Sequence, residues 1–420
     1  MRKIILTTLS LLALFGVNAQ QISLENCQEW ARQNHPLLKQ SGVIDELSAL
    51  RNQSIGASNL PQIDLTGRAT YQSEVTKLSL PLPGFTAPDF AKDQYKLYVD
   101  VKQKLYDFGM TSNRRKVEEA DRKVAQQQNE TDLYKVKETV NSLFFQALML
   151  QENERIANLK IDLLKERLKV IQSAVKNGMG QLNDLDNLKA EQLLTEQQLT
   201  EVKAGKKTTA DLLSLITGQN IAESAAYVQP ATQLVNLETA IVRPELKLFA
   251  QQKEKIDANT QLLSNTRLPN LFAFGQAGYG RPGLNMLNDN FKDWYMVGIT
   301  LSWNLWDGNK TKHDKSALQK QKQLIDIQQQ NFERAVNISL LQEKNQVEKL
   351  TKLLESDAQV VTLKENIAKR SASALDNGTI TSADYLRDLN ASLQAKVSLS
   401  IHKIQQLQSQ ENLKVIKGEF

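Results

Sequence analysis

The sequence has few of the residues that cross-link or interrupt a chain. One cysteine, Cys27, stands among 420 residues, so an intramolecular disulfide is excluded and a small buried apolar role is expected for it. Only 18 glycines and 9 prolines occur, and aromatic residues make up 6%. Because chain breakers are scarce and Gln, Leu, Lys, Glu and Ala are abundant, the composition predicts long helices rather than several globular domains.

A strong charge of either sign is also absent. The chain has 52 basic and 47 acidic residues, and removal of a leader that contains Arg2 and Lys3 leaves an excess of three positive charges. So small an excess gives no reason to expect a nucleic-acid partner.

Residue constellations for catalysis or metal binding are missing as well. His35, His313 and His402 lie far apart without paired metal-ligand spacing, and no nucleophile elbow occurs. The stretch GQAGYGRPG at 275–283 superficially resembles a phosphate loop, but it leads from a predicted strand into a proline-containing loop rather than a helix. We therefore predict that the protein is not an enzyme and has no catalytic residue, cofactor or bound metal.

The amino terminus has the pattern of a cleaved secretory signal. Residues 1–19 combine a basic start, an apolar run from Ile4 to Val17 and a small residue, Ala19, at the expected cleavage site. A transmembrane anchor is the alternative, but it needs a run of roughly 18 to 20 apolar residues. The mature chain is expected to begin near Gln20, outside the cytoplasm.

The rest of the chain contains a two-fold internal repeat. Matching features lie 200 residues apart over more than a hundred residues, and upstream of Asp107 the offset becomes 208. The matched pairs include Asp107 and Asp307, Asn177-Gly178 and Asn377-Gly378, Asp184 and Asp384, and Gly218 and Gly418. We predict a first structural repeat at 20–218, a linker at 219–242 and a second structural repeat at 243–420.

Each repeat contains two segments in which apolar and polar residues alternate. These strand pairs lie within about 62–106 and 269–306, after helices expected at about 24–56 and 244–264. Tyr95, for example, begins an apolar series at every second residue. Such alternation predicts strands with one apolar and one polar face.

The longest predicted helices, at 110–176 and 309–377, contain neither proline nor glycine. Apolar residues recur every seven positions, with Glu154 interrupting the first series, so coiled-coil packing is expected. Asn-Gly readily adopts the left-handed conformation of a helix cap, and it ends both helices. Return helices at 181–217 and 380–417 would complete two antiparallel hairpins.

One chain supplies only four strands, which are too few to close a barrel. In a membrane an open sheet would leave unpaired edges, whereas three chains would supply twelve strands and twelve hairpin helices. A soluble sheet that covers a helix bundle is the alternative, and strand alternation alone leaves both possibilities open.

These features together resemble the TolC-type outer-membrane efflux proteins. The resemblance rests on SLENCQEWARQNHPLLKQ at 23–40, LYDFG and LWDGN at the strand-to-helix corners, the NG turns followed by DLDNLKA and DYLRDLNA, and LITG at the end of the first repeat. It implies a mostly α fold with a transmembrane β part, in which a homotrimer forms a 12-stranded outer-membrane β-barrel that continues into a long periplasmic α-helical barrel. It also implies a passive export channel of a tripartite efflux or secretion system. The implied partners are outer-membrane lipid, a periplasmic adaptor and an inner-membrane transporter of RND or ABC type.

The resemblance further implies roles for three groups of residues. The adaptor-binding tip would contain Asn177, Gly178, Met179, Asn377, Gly378 and Thr379. The aperture would be lined by Asp184, Asp186, Asp384, Arg387 and Asp388, with Asp384 and Arg387 controlling it. The corners at the membrane interface would contain Tyr106, Asp107, Gly109, Trp306, Asp307 and Gly308. Simple hairpin turns and acidic helix starts are the alternative interpretations of the first two groups.

A structural periplasmic coiled-coil scaffold without transport activity is the alternative function. Heptads alone would support it. The strand pairs oppose it, because their apolar faces need lipid or a core, and so do the flanking aromatic residues Trp294, Trp303 and Trp306, which suit a bilayer interface.

Overall fold

The computed structural model describes residues 21–75, 91–231 and 240–419, and most of them are helical. The predicted signal peptide lies outside the described residues, as do parts of the first interstrand loop and of the linker. The elements in chain order are β1 (Gln21–Ile22), α1 (Leu24–Asn34), α2 (Leu37–Ala57), β2 (Gln62–Tyr71), β3 (Asp93–Tyr106), α3 (Met110–Lys176), α4 (Leu182–Thr217), β4 (Ala226–Tyr227), α5 (Pro244–Asn265), β5 (Asn270–Arg281), β6 (Lys292–Ser302), α6 (Lys310–Asp376) and α7 (Ser382–Lys417). The predicted fold class, mostly α with a small β part, is confirmed.

The helix expected at about 24–56 is divided in two. Helix α1 ends at Asn34 and α2 begins at Leu37, on either side of Pro36. His35 is extended, with a ψ of 135°. Proline disfavours the helical conformation of the residue before it, which accounts for the break.

The chain divides into two compact units, which are described separately. The helical unit consists of the described parts of 1–38, 132–243 and 333–420, and the sheet unit consists of those of 39–131 and 244–332. Helices α3 and α6 contribute residues to both.

The helical unit has two buried apolar clusters. The first surrounds Phe144 and Phe145 of α3 and contains Cys27, which is fully buried as predicted. Burial raises the pKa of the Cys27 thiol to about 12, so it stays protonated. The second cluster joins the ends of both helical hairpins, and its members are Ile156, Leu164, Leu168, Ile171, Leu185, Leu188, Leu375, Tyr385, Leu386, Leu389 and Leu393.

The heptad of α3 faces these clusters. Val140, Ala147 and Ile161 are buried at its positions. Glu154, which interrupts it, is paired with Lys206 of α4, with 2.7 Å between Oε2 and Nζ. The interruption therefore carries a largely buried ion pair between the two helices of the first hairpin.

The sheet unit contains a four-stranded antiparallel sheet in the order β2-β3-β5-β6. Strands β2 and β6 are its edges, and the outer side of each has no strand partner among the described residues. Exposed edges of this length are sites for pairing with another chain.

One face of the sheet is apolar and open to solvent. The register places Leu65 opposite Val99, Val99 opposite Ala277 and Ala277 opposite Tyr295, so all four share this face. Exposed fractions of large side chains on it are 70% for Ile63, 71% for Leu65, 55% for Leu97, 76% for Tyr295, 74% for Val297 and 68% for Ile299. A continuous apolar surface of this kind marks a contact with lipid or protein. No helix in the described part of the chain is long and apolar enough to cross a bilayer.

Candidate functional site: the hairpin turns and the strand corners

Both helical hairpins reverse through the same hydrogen-bonded turn. The Gly178 amide donates to the carbonyl of Val175 (3.1 Å), and the Met179 amide donates to the carbonyl of Ala174 (2.9 Å). The same two bonds recur 200 residues later at 3.0 and 2.9 Å. This pattern is a Schellman motif, and its glycine has a φ of 73° in the first turn and 68° in the second.

The turn residues present open surface. Met179 is 80% exposed, and a Cβ placed on Gly178 or Gly378 would meet nothing within 4 Å. Asn177, Asn377 and Thr379 are exposed as well. All six residues of the predicted adaptor-binding tip are therefore accessible in the chain.

Asp184 links the two hairpins. Its Oδ1 accepts a hydrogen bond from the backbone amide of Ser382 at 2.9 Å, so the first turn of α4 caps the amino terminus of α7. Asn187 adds a contact from its Nδ2 to the Ser382 hydroxyl at 3.4 Å. Sequence reasoning identified Asp184 only as a candidate aperture residue, because nothing in the pattern indicates a cap supplied by the other repeat.

Asp384 caps its own helix. The Thr381 hydroxyl accepts from the Asp384 amide at 3.2 Å, and Asp384 Oδ2 accepts from the Thr381 amide at 3.5 Å, which together form a capping box. The Thr381 hydroxyl also donates to Asp384 Oδ2 at 2.8 Å. The hydrogen bond from the Thr381 side chain holds the pKa of the Asp384 carboxyl below its usual value, with a smaller contribution from Arg387.

Arg387 is surrounded by carboxylates of its own helix. Its Nη1 lies 3.3 Å from Asp384 Oδ1, and its Nε lies 3.6 Å from Asp388 Oδ1. The other oxygen of Asp388 accepts a hydrogen bond from the Ser371 hydroxyl of α6. Asp186 stands apart from this group, and its one ion-pair partner among the described residues is Lys189, with 4.0 Å between Oδ1 and Nζ.

A second network of polar and aromatic side chains near the turns was not predicted from the sequence. Arg167 of α3 pairs with Asp376, the last residue of α6, and its guanidinium carbon lies 5.5 Å from the centroid of the Tyr385 ring. Burial raises the pKa of Tyr385. No spacing rule brings these three residues together, because they come from three different helices.

The two strand-to-helix corners have the same construction. Asp107 Oδ2 accepts the amide of Thr111 at 2.9 Å, and Asp307 Oδ2 accepts that of Thr311 at 3.0 Å. Each threonine hydroxyl donates to the same carboxylate oxygen. Thr111 and Thr311 were not predicted as corner residues. Their separation of 200 residues, the offset of the repeat, could have identified them.

The backbone bends sharply between each aspartate and its helix. Gly109 and Gly308 have φ values of 87° and 66°, and Phe108 and Asn309 are also left-handed at 49° and 67°. The carbonyl of Phe108 is held by Asn265 Nδ2 at 2.8 Å. Each corner thus has two consecutive left-handed residues, one of which is not glycine.

Aromatic side chains at the corners are exposed. Tyr106 is 58% exposed and Trp306 79%. Tyr106 contacts the edge of the Phe108 ring, with 4.6 Å between ring centroids.

Residues 21–75, 91–231 and 240–419 contain no group of three His, Cys, Asp or Glu side chains that could hold a metal ion.

Comparisons with a family model and with solved structures both found matches. Residues 28–219 match the family model described as Outer membrane efflux protein. A search of curated proteins found no match. The structure is similar to the outer membrane protein VceC of Vibrio cholerae, with 16% identity and a TM-score of 0.68 over 94% of this chain and 96% of VceC. It is also similar to the Campylobacter jejuni outer membrane channel CmeC, with 16% identity and a TM-score of 0.68 over 94% of this chain and 85% of CmeC. A third similar structure is the open state of the Neisseria gonorrhoeae outer membrane channel MtrE. Its identity is 12% and its TM-score 0.67, over 94% of this chain and 89% of MtrE.

Proposed function

We propose that this chain is an outer-membrane efflux protein and that it forms the export duct of a tripartite efflux or secretion system. The family match over residues 28–219 and the structural matches over 94% of the chain confirm its resemblance to outer-membrane efflux proteins. The duct would lie in the outer membrane, with a large periplasmic part, and would conduct cargo passively.

The exposed apolar face of the sheet is the observation that carries this proposal. A soluble scaffold would have to cover Leu65, Val297 and their neighbours, and the described chain leaves them open. A bilayer would cover them, provided that the edges β2 and β6 are paired. Three copies joined edge to edge would form a closed sheet of twelve strands, which is an even number in the range of outer-membrane barrels.

Outer-membrane fractionation tests this proposal. We expect a trimer in the outer-membrane fraction that resists detergent and dissociates on heating. A soluble, monomeric periplasmic chain would refute the duct and favour the coiled-coil scaffold.

The hairpin turns would dock the periplasmic adaptor. Their support is the exposed surface of both turns, since a Cβ on Gly178 or Gly378 would meet no atom of the other described residues within 4 Å. Because the native thiol, Cys27, is buried, a cysteine at Met179 or Thr379 can be coupled selectively to a crosslinker. We expect adaptor-type adducts from Met179→Cys and Thr379→Cys and none from Leu215→Cys, an equally exposed position (81%) on α4. Equal labelling from all three variants would contradict the assignment.

Asp384 and Arg387 would control the aperture. In the trimer, three copies of each residue would approach one axis, where carboxylates attract cations and Arg387 offsets part of their charge. The capping bond from Asp184 to Ser382 would keep α7 attached to the first hairpin. We expect Asp384→Asn with Arg387→Gln to change single-channel conductance and cation selectivity in planar bilayers, whereas Asp211→Asn on α4 should not. Unchanged conductance in the double variant would exclude this role.

The inner-membrane transporter, of RND or ABC type, would supply both the cargo and the energy. A duct of this kind requires no catalytic group or cofactor, and the expectation that the protein is not an enzyme stays a prediction.

A further inference from the structure

The polar face of the sheet carries an uncompensated row of positive charge. Arg68 of β2 lies directly opposite Lys96 of β3, Lys96 lies opposite Gly280 of β5, and Gly280 lies opposite Lys292 of β6. Three cationic side chains therefore stand at one level across four strands. We call Arg68, Lys96 and Lys292 the basic row.

Like charges at directly opposed positions destabilise a sheet, because the Cβ atoms are only about 5 Å apart. Arg68 and Lys96 are such a pair, and no ion pair of theirs or of Lys292 occurs among the described residues. The other cations of this face are compensated. Lys102 pairs with Asp100 at 2.8 Å, and Lys104 lies 4.0 Å from Asp107. An unfavourable arrangement that is confined to one level requires an explanation other than stability.

Gly280 leaves the space between Lys96 and Lys292 free of another side chain. A Cβ on Gly280 would lie 2.5 Å from the carbonyl oxygen of Tyr95 and 3.1 Å from Lys96 Cγ. A side chain at this position would therefore take the space that the stem of Lys96 uses. The strand between Lys96 and Lys292 thus places no side chain of its own between the two cations.

Aromatic side chains border the row on the next level of the same face. The Tyr98 and Trp294 rings lie 5.6 Å apart between centroids, on either side of Gly278. The indole N–H of Trp294 has no hydrogen-bond partner among the described residues. Hydrogen-bond donors and cations are thus concentrated here, and no acceptor among the described residues is matched to them.

The neighbouring carboxylates of the described residues do not neutralise the row. Asp64 and Asp100, on the same face, are four residues away along their strands, or roughly 13 Å. That distance exceeds the screening length of about 8 Å at physiological ionic strength. At the loop end of the sheet, Asp93 and Asp289 lie 2.6 and 4.0 Å from the Arg281 guanidinium. Asp293 follows Lys292 on the opposite face.

We propose that the basic row binds anions and makes the outer part of the duct favour cargo that carries two or more negative charges, such as phosphate esters. The inference rests on the proposed function, because three copies of the sheet, joined into one closed barrel, would bring nine of these cations around one aqueous lumen. Rings of Lys and Arg are the usual basis of anion selectivity in pores. The row lies toward the interstrand loops, since Arg68 and Lys96 are each three residues from the strand ends at Tyr71 and Asp93.

Pyrophosphate added to the extracellular side of planar bilayers tests this inference. We expect it to lower the single-channel current of the wild-type trimer, and we expect 1 M KCl to weaken the effect by screening. A variant with Arg68→Gln, Lys96→Gln and Lys292→Gln should need at least tenfold more pyrophosphate. The matched control removes three cations from α6 instead, by Lys310→Gln, Lys312→Gln and Lys315→Gln, and should keep the wild-type sensitivity.

Equal pyrophosphate sensitivity in the wild type and the triple variant would overturn the inference. If the triple variant does not assemble, Lys292→Gln alone should still raise the required concentration about two- to threefold. Calorimetric binding of pyrophosphate to the purified wild type and triple variant in detergent does not depend on conduction. If the wild type binds pyrophosphate through the basic row but forms no channels, the proposed duct is wrong and the basic row stands. If it forms channels but does not bind pyrophosphate, the basic row is wrong and the duct stands.

Discussion

Asp107 and Asp307 hold the first turns of α3 and α6 from outside the helices. Each carboxylate accepts the amide and the hydroxyl of the threonine four residues later, and Asp107 also accepts the Gly109 amide at 3.1 Å. Amides at a helix start have no partner within the helix, so an external carboxylate stabilises them. These bonds fix the chain before and after the two adjacent left-handed residues of each corner, and so offset the strain of that conformation.

Replacement of Asp107 by alanine should lower the free energy of unfolding by about 1 kcal/mol, the usual effect of losing a helix cap. Asp307→Ala should act in the same direction. Thermal unfolding in detergent, followed by circular dichroism, measures both. Asp211→Ala, at an exposed position within α4, is the control and should cause no loss.

The stabilisation from these carboxylates should depend on pH. Burial raises the pKa of Asp107, but the hydrogen bonds from Thr111 and Gly109 outweigh burial and hold it below its usual value. Hydrogen bonds from Thr311 lower the pKa of Asp307. A depressed folded-state pKa stabilises the protein above the unfolded value of about 3.9, and this contribution is lost as the pH falls through the folded-state pKa. The melting temperature of the wild type should therefore fall more steeply below about pH 4 than that of an Asp107→Asn, Asp307→Asn variant. Parallel pH profiles would contradict the assignment.

The two turn glycines are required by backbone conformation and not by space. A Cβ on either glycine would meet no atom of the other described residues within 4 Å, so Gly178→Ala or Gly378→Ala should cost only the strain of a left-handed alanine, about 1 to 2 kcal/mol. Gly42 also has nothing within 4 Å, but it lies inside α2. Gly42→Ala should therefore stabilise the chain by about 0.5 to 1 kcal/mol. Urea titration of the three variants compares them directly, and a loss of stability in Gly42→Ala would show that this comparison is wrong.

At the scale of elements, local sequence patterns predict the long helices. They do not predict contacts between segments that are distant in the chain. Helix α3 covers the stretch without proline or glycine, and both return helices end at a left-handed glycine, Gly218 or Gly418. Strands β1 and β4 were not predicted, because two residues are too few to show a period and their pairing joins residues about 200 positions apart. The cap from Asp184 to Ser382 and the contact of Arg167 with Tyr385 depend likewise on packing between helices, which no periodicity encodes.

The ion pair between Glu154 and Lys206 is a test of packing between α3 and α4. Lys206→Met should cost about 2 kcal/mol, because it leaves the Glu154 carboxylate, which is 21% exposed, without its partner. Glu154→Leu combined with Lys206→Leu should return to within about 1 kcal/mol of the wild type, since an apolar pair fits the heptad. The exposed pair Lys352 and Glu348 is the matched control, and Lys352→Met should change stability by less than about 0.5 kcal/mol. A double variant as unstable as Lys206→Met would show that the charge pair, rather than burial, is needed at this position.

At the scale of the whole molecule, the two faces of the sheet need different surroundings. Residues that alternate along β6 differ in polarity, yet most on both faces are exposed in a single chain. Exposure alone therefore does not distinguish a soluble sheet from a membrane barrel. The response of each face to a charge does distinguish them, because arginine costs nothing in water and much in hydrocarbon.

Val297 and Thr300 provide this comparison within one strand. Val297 is the middle residue of β6 and lies on the apolar face, whereas Thr300 is on the polar face. If the apolar face meets lipid, Val297→Arg should destabilise the folded trimer by about 2 to 4 kcal/mol, and Thr300→Arg, in contact with water, should have little effect. The measurement is urea unfolding in lipid vesicles, together with the yield of heat-dissociable trimer in the outer membrane. In a soluble sheet both positions would accept arginine within about 0.5 kcal/mol, as exposed sites do. Equal tolerance at Val297 and Thr300 would therefore remove the main support for the duct, because it would show that the apolar face meets water.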